Sequence, residues 1–116
     1  YGLAMFACLR DHAVVLNKHI DMAFAEAGNA RLFEATGVGA CLLTDWKANL
    51  SEMFEPDREV VTYRSIEECV EKAQWLLAHP AERMAVAAAG RARVLREHTF
   101  AHRAAELDRL VRSELL

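Results

Sequence analysis

Short apolar runs alternate with helically spaced apolar positions along this chain, and each switch of period marks an element. Leu3 to Arg10 reads as a short helix, and Ala13-Val14-Val15-Leu16 then reads as a buried strand ending at Asn17. Residues 17–29 hold no clear period, which predicts a loop or irregular helix over one edge of a sheet. Asn29 suits the N-cap of a helix running to about Thr36, where Gly37 can take the left-handed cap. Ala40-Cys41-Leu42-Leu43 is the second strand, closed by Thr44-Asp45. The segment 45–58, with Pro56-Asp57, is a loop with room for a short helix from Leu50 to Phe54. Glu59-Val60-Val61-Thr62-Tyr63 is the third strand.

Helical spacing dominates the C-terminal half. Ser65-Ile66-Glu67-Glu68 is a capping box that opens a helix through about Ala78. Its inward face is Ile66, Cys69, Val70, Ala73, Leu76 and Leu77. His79-Pro80 ends it, because proline fits a first helical turn but not the interior of the helix before it. A long helix follows from about Ala81 to Glu97, and Gly90 within it costs about 1 kcal/mol relative to alanine, which predicts close packing there. Thr99 caps a last helix with an apolar stripe of Leu107, Leu110, Val111 and Leu115. Three strands, each followed by a helical or loop crossover, define an α/β protein with a short parallel sheet. The expected fold is a three-layer, Rossmann-like half-domain flanked by helices, with a helical C-terminal end.

At 116 residues the chain is one domain, long enough to bury roughly two-thirds of its unfolded surface. It opens on Tyr1 with no signal-peptide pattern and reads as a piece of a longer protein. No apolar run approaches the roughly 20 residues that span a bilayer. Cys8, Cys41 and Cys69 lie in apolar contexts without a Cys-x-x-Cys pair. That predicts buried, reduced thiols in a cytoplasmic protein rather than a metal site or a disulfide framework. The net charge of −3 is unevenly spread: residues 1–78 carry 7 basic and 12 acidic side chains, residues 79–116 carry 7 and 5. The C-terminal excess is too weak for a nucleic-acid surface and describes a solvated helical face. His98, His102 and Glu106 share one helix face, but two histidines without further ligands are ordinary surface or packing residues, so no metal is expected.

Ligands on parallel sheets bind beyond the carboxyl ends of the strands. Asn17 and Lys18, the segment 26–34, and Thr44-Asp45 all fall at those ends. Glu26 and Glu34 flank the loop-to-helix junction of that segment. A helix N-terminus attracts phosphate, since its first amides have no partner and its dipole end is positive. A carboxylate one turn further in can accept hydrogen bonds from the vicinal hydroxyls of a ribose or hexose. Phosphate at the helix tip and a diol at Glu34 together describe a nucleotide-sugar site. Arg31, in the first helical turn, can reach a phosphate, and Asn29 can cap the helix, touch the ligand, or do both. Glu26 reads either as a ligand-facing acid or as a solvated loop acid, and Asp45 as a rim residue or a turn former. Trp46 and Trp75 are expected to pack, Trp46 nearer the ligand cleft.

Several fragments then occur in a telling order. They are Asn29-x-Arg31-x-Phe33-Glu34, Gly37-x-Gly39, Glu59-Val60-Val61-x-Tyr63 and Ser65-x-Glu67-Glu68. His79-Pro80-x-Glu82-Arg83, Ala89-Gly90-Arg91 and His98-Thr99-Phe100-x-x-Arg103 follow. As a set they resemble the group 1 glycosyltransferases, in the subgroup related to spore-maturation proteins, over essentially the whole chain. The resemblance implies the GT-B architecture, two Rossmann-like domains around a cleft, with this chain as the second half of the C-terminal, donor-binding domain. It implies transfer of a sugar from a nucleotide diphosphate donor to an acceptor, with no cofactor and no obligatory metal.

The family's ribose-holding glutamate falls on Glu34, and its catalytic glutamate, which contacts the donor sugar, on Glu26, with the family's seven residues between. Glu34, Arg31, Asn29, Asn17, Lys18 and Asp45 are the expected nucleotide-sugar-binding residues. Asn29-x-Arg31 replaces the Gly-rich surroundings usual after the first glutamate. The resemblance puts the basic pair that grips the diphosphate, and the acceptor domain, upstream of Tyr1, so the piece alone is expected to be inactive.

Two other functions compete. A non-catalytic α/β module kept for binding or assembly would bind a nucleotide diphosphate without transfer. A phosphoacceptor receiver domain needs an acidic pair after its first strand and an Asp after its third, where Asn17-Lys18 and Tyr63-Arg64 stand here. An open sheet edge, and a last helix lacking its partner domain, predict self-association into a dimer or larger assembly.

Overall fold

The computed structural model describes residues 2–20 and 26–116. In chain order its elements are α1 (Leu3–Asp11), β1 (Val14–Asn17), α2 (Arg31–Gly37), β2 (Cys41–Asp45), α3 (Leu50–Met53), β3 (Val61–Tyr63), α4 (Ile66–Ala78), α5 (Pro80–Glu97) and α6 (Phe100–Glu114). The strands are parallel in the order β1-β2-β3, with Val14 opposite Cys41, Asn17 opposite Thr44 and Leu43 opposite Val61. Residues 21–25 of the expected loop lie outside the described residues.

Alternation along the strands builds two apolar layers, because successive side chains of a strand point to opposite faces. On one face Val15 and Leu42 meet Leu9 of α1, Leu32 and Ala35 of α2, Leu50 of α3, Phe54, and Val94 of α5. On the other, Cys41, Leu43 and Val61 meet Leu76, Cys69 and Ala73 of α4 and Val86 and Ala87 of α5. The expected three-layer α/β arrangement is therefore present. Central β2 is buried from Cys41 to Thr44, as a strand covered on both faces must be. Burial also pushes the Cys41 thiol up to about 11, against a smaller lowering by Arg83.

Gly90 is where the sequence places a close approach. A Cβ built there would collide with the carbonyl oxygen of Glu59, with Thr36 also in contact. Nearby, Glu59 is buried, accepts from the Glu55 amide at 2.8 Å and pairs with Arg93 of α5 at 3.2 Å. These bonds belong to a tight turn, 55–60, in which Asp57 is left-handed (φ 63). The turn delays β3 to Val61, two residues past its expected start.

Several local expectations are corrected. Asn29 does not cap α2: the cap position is Ala30, without a side-chain bond, because the Asn29 amide is drawn to Asn17 instead. Gly37 stays helical, and Gly39 (φ 85) takes the left-handed position. There the amides of Gly39 and Ala40 bond back to Thr36 and Ala35, the paired pattern of a Schellman stop. Ser65 does cap α4 through the Glu68 amide, but the Glu68 carboxylate accepts from the Arg64 amide rather than closing the expected box.

The α4 stripe is narrower than expected, since Ile66, Val70 and Leu77 remain exposed. A three-stranded sheet offers too little surface to cover them. Cys8 is exposed rather than buried. Trp46 and Trp75 are also partly exposed, one under the Arg64 guanidinium and the other stacked on His79. Thr99 caps α6 with His102 completing the box, yet α6 buries no residue and its stripe of Leu107, Leu110, Val111 and Leu115 is exposed. Among the described residues, no helix is long and apolar enough to cross a membrane.

Candidate functional site

At the carboxyl ends of β1 and β2 the burial pattern of β1 runs on past the strand. Val15, Asn17 and His19 are buried, while Leu16, Lys18 and Ile20 are exposed. Asn17 and His19 are thereby carried inward, where a polar group needs partners. The Asn17 side-chain amide donates to Thr44 Oγ1 at 3.0 Å and to Asn29 Oδ1 at 3.3 Å, and accepts from Asn29 Nδ2 at 3.0 Å. Tyr63 of β3 reaches across to donate its hydroxyl to the Asn17 carbonyl at 2.9 Å. Burial, followed by Asp45 and Cys69, pushes that phenol up to about 12, so it stays a donor.

Asp45 Oδ1 accepts from the backbone amide of His19 at 3.0 Å and lies 2.7 Å from its Nδ1. Lys47 Nζ stands 3.6 Å from Oδ2. Burial works to raise the Asp45 carboxyl, but the His19 bonds and the positive charge of Lys47 outweigh that and hold it below its ordinary value. The far nitrogen of His19, Nε2, accepts from the Gly28 amide at 3.4 Å. Asn49 completes the rim by accepting from the Ala27 amide at 2.5 Å and donating to the Ala27 carbonyl at 3.0 Å.

The rim thus joins three of the expected site residues, Asn17, Asn29 and Asp45, in one network. Lys18 is exposed one position beyond β1. Glu26 is exposed and directly precedes the pinned Ala27. Arg31 and Glu34 face each other across the first turn of α2, with Nε and Oε2 3.4 Å apart and both side chains half-buried. Glu34 also lines a hollow of about 420 Å³, with Phe6 of α1, Phe33 of α2, Val94 of α5, and His98, Phe100 and Arg103 at the α5–α6 junction. Its walls are mainly apolar, with Glu34 and Arg103 the charged groups on them. α2 itself spans only seven residues, which makes its dipole short.

His98 is occupied on both sides: Nε2 lies 2.7 Å from the Met53 carbonyl and the ring packs against Phe33 and Phe54. Among the described residues no group of acidic, histidine and cysteine side chains could hold a metal. His19 and Asn49 are rim residues that the sequence reading passes over, while Thr44 was placed at the rim and Tyr63 only within a motif. The signal that finds His19 is the continued two-residue alternation from Val15, and Asn49 carries no comparable pattern.

A short parallel α/β sheet of this kind, flanked by helices and with a bonded polar rim at the carboxyl ends of its strands, is a Rossmann-like half-domain. The model of the family described as glycosyl transferase-like matches residues 1–109, and the chain belongs to that family. Comparison with curated proteins and with solved structures found no match.

Proposed function

We propose that this chain is the donor-binding portion of a GT-B glycosyltransferase that moves a sugar from a nucleoside diphosphate to an acceptor. One observation carries the reading: Glu34, half-buried in the first turn of α2 beside the carboxyl rim, forms part of the wall of an apolar hollow. The carboxylate accepts from the two ribose hydroxyls, and the apolar walls take the flat face of the base. The diphosphate then lies toward Arg31 and the start of α2, and the sugar toward Glu26. Lys18, Asn29, Asn17 and Asp45 border this path, the last two chiefly by holding it in shape. In the transfer step the oxygen of an acceptor hydroxyl attacks the anomeric carbon, the bond from that carbon to the diphosphate oxygen breaks, and the diphosphate leaves with the electron pair and takes up the proton that the hydroxyl loses. Fixed positive groups at its departure point lower the barrier electrostatically, with no cofactor or metal required by the residues present.

Support for the GT-B placement comes from the ordered motifs over the matched region, and unpaired Cys8, Cys41 and Cys69 support a reducing, cytoplasmic setting. Calorimetric titration with UDP, GDP, ADP and TDP tests the site. Charge-assisted hydrogen bonds contribute about 1.5–3 kcal/mol each, so Glu34→Ala is expected to weaken the best of these at least about tenfold. Unchanged affinity in that variant removes Glu34 from the site.

Assembly is a second role favoured by a specific observation, the exposed apolar stripe of α6. We propose that copies of the chain associate through it, a role compatible with a binding module that performs no transfer.

A further inference from the structure

Only Ala27, Gly28, Asn29 and Ala30 separate Glu26 from the first residue of α2, and the first three are each gripped by a different side chain. Asn49, at the N-terminal boundary of α3, holds both backbone polar groups of Ala27, at 2.5 and 3.0 Å, as a neighbouring strand would. His19 accepts from the Gly28 amide, and Asn17 exchanges two bonds with the Asn29 side chain. His19 is 3% exposed, so it acts through Gly28 rather than by touching a ligand. Its ring is itself aimed, because Asp45 Oδ1 takes both its Nδ1 proton and its backbone amide. A neutral ring with the proton on Nδ1 satisfies Asp45 and Gly28 at once.

We infer that His19 and Asn49 are positioning residues that fix the backbone of residues 27–29, and with it the separation of Glu26 and Glu34. The functional side of this rests on the reading of those two acids as donor ligands. A loop released from this grip spreads Glu26 over many positions relative to Glu34, and ordering it again would oppose donor binding. His19 and Asn49 are assigned no contact with donor, so their effect reaches it only through the segment they hold.

Three measurements on the protein decide it. Long-range ¹⁵N–¹H spectra of the imidazoles are expected to show His19 protonated on Nδ1, and a proton on Nε2 instead overturns the Gly28 bond. Amide hydrogen exchange is expected to quicken about tenfold at Gly28 in His19→Ala and at Ala27 in Asn49→Ala, with β2 unchanged. His19→Gln, whose side-chain oxygen can reach the place of Nε2, is expected to slow Gly28 again. Exchange unchanged in both alanine variants overturns the grip. Where His19→Ala fails to fold, Asn49→Ala and the tautomer of the unaltered protein carry the decision.

Titration with UDP-glucose and GDP-mannose supplies the functional readout, with about tenfold weaker binding expected in Asn49→Ala. Full affinity in a variant whose segment exchanges faster overturns the positioning role. If the unaltered protein binds neither nucleotide sugar, the donor reading fails while exchange and tautomer still decide the grip.

Discussion

Asp45 closes β2 and at the same time orients His19, and its ionisation is tied to the fold. Its carboxyl is held below the ordinary value of 3.8: burial pushes it up, but the hydrogen bonds from His19 and the positive charge of Lys47 prevail. A carboxyl depressed in the folded state adds stability that is complete above its unfolded pKa and lost as pH falls through the folded one. Denaturant melts from about pH 6 down to about pH 2 are therefore expected to show the unaltered protein losing stability below about pH 4, and Asp45→Asn losing less over that window. Equal acid limbs in the two proteins would remove Asp45 from the account. At this scale the sequence was readable for placement, as with Glu34 in the first turn of the helix its pattern predicts. It was less readable where a residue's role depends on what folding brings beside it. Asn29 looks like a helix cap until Asn17 is seen next to it, and His19 looks like a loop residue until the alternation from Val15 is followed past the strand end.

Elements were legible because their signals are local. Proline after His79, Ser65 before its helix and the apolar runs of the strands mark the boundaries without reference to anything distant. Gly90 is the exception that also worked: an internal helical glycine has a cost, and the Glu59 carbonyl packed against α5 is its reason. Alanine there gains about 1 kcal/mol of helix propensity but forces apart a backbone contact, and overpacking costs about 1–3 kcal/mol. Gly90→Ala is expected to lower unfolding stability by up to about 2 kcal/mol in chemical denaturation, and a more stable variant would show that the contact can relax. What the pattern could not supply is how much of each apolar stripe finds a partner. α4 presents six apolar positions to a sheet of three strands, and only Leu76 among them is fully covered. Helical period defines a face; the width of the surface opposite decides how much of it is buried.

The molecule as a whole is longer than its core requires. Its radius of gyration is 15.2 Å, against about 13 Å for a compact chain of this length, and its long axis of 54 Å reflects α6 extending from the body. Such a helix, amphipathic but unburied, is a surface awaiting cover. Sedimentation velocity from micromolar to near-millimolar concentration is expected to show association, relieved by the double change Leu107→Glu and Leu110→Glu. A monomer throughout that range would contradict the assembly proposal. The proposed donor site is tested more directly: in it a nucleotide sugar would sit at the carboxyl rim of this sheet with its ribose on Glu34. Backbone amide shifts recorded while a nucleoside diphosphate sugar is added, with UDP-glucose and GDP-mannose as probes, test it residue by residue. The expected result is saturable shifts centred on residues 27–35, the walls of the hollow and the ends of β1 and β2, needing at least about tenfold more ligand in Glu34→Ala. Shifts confined to α4 and α6, or none with either probe, would contradict it.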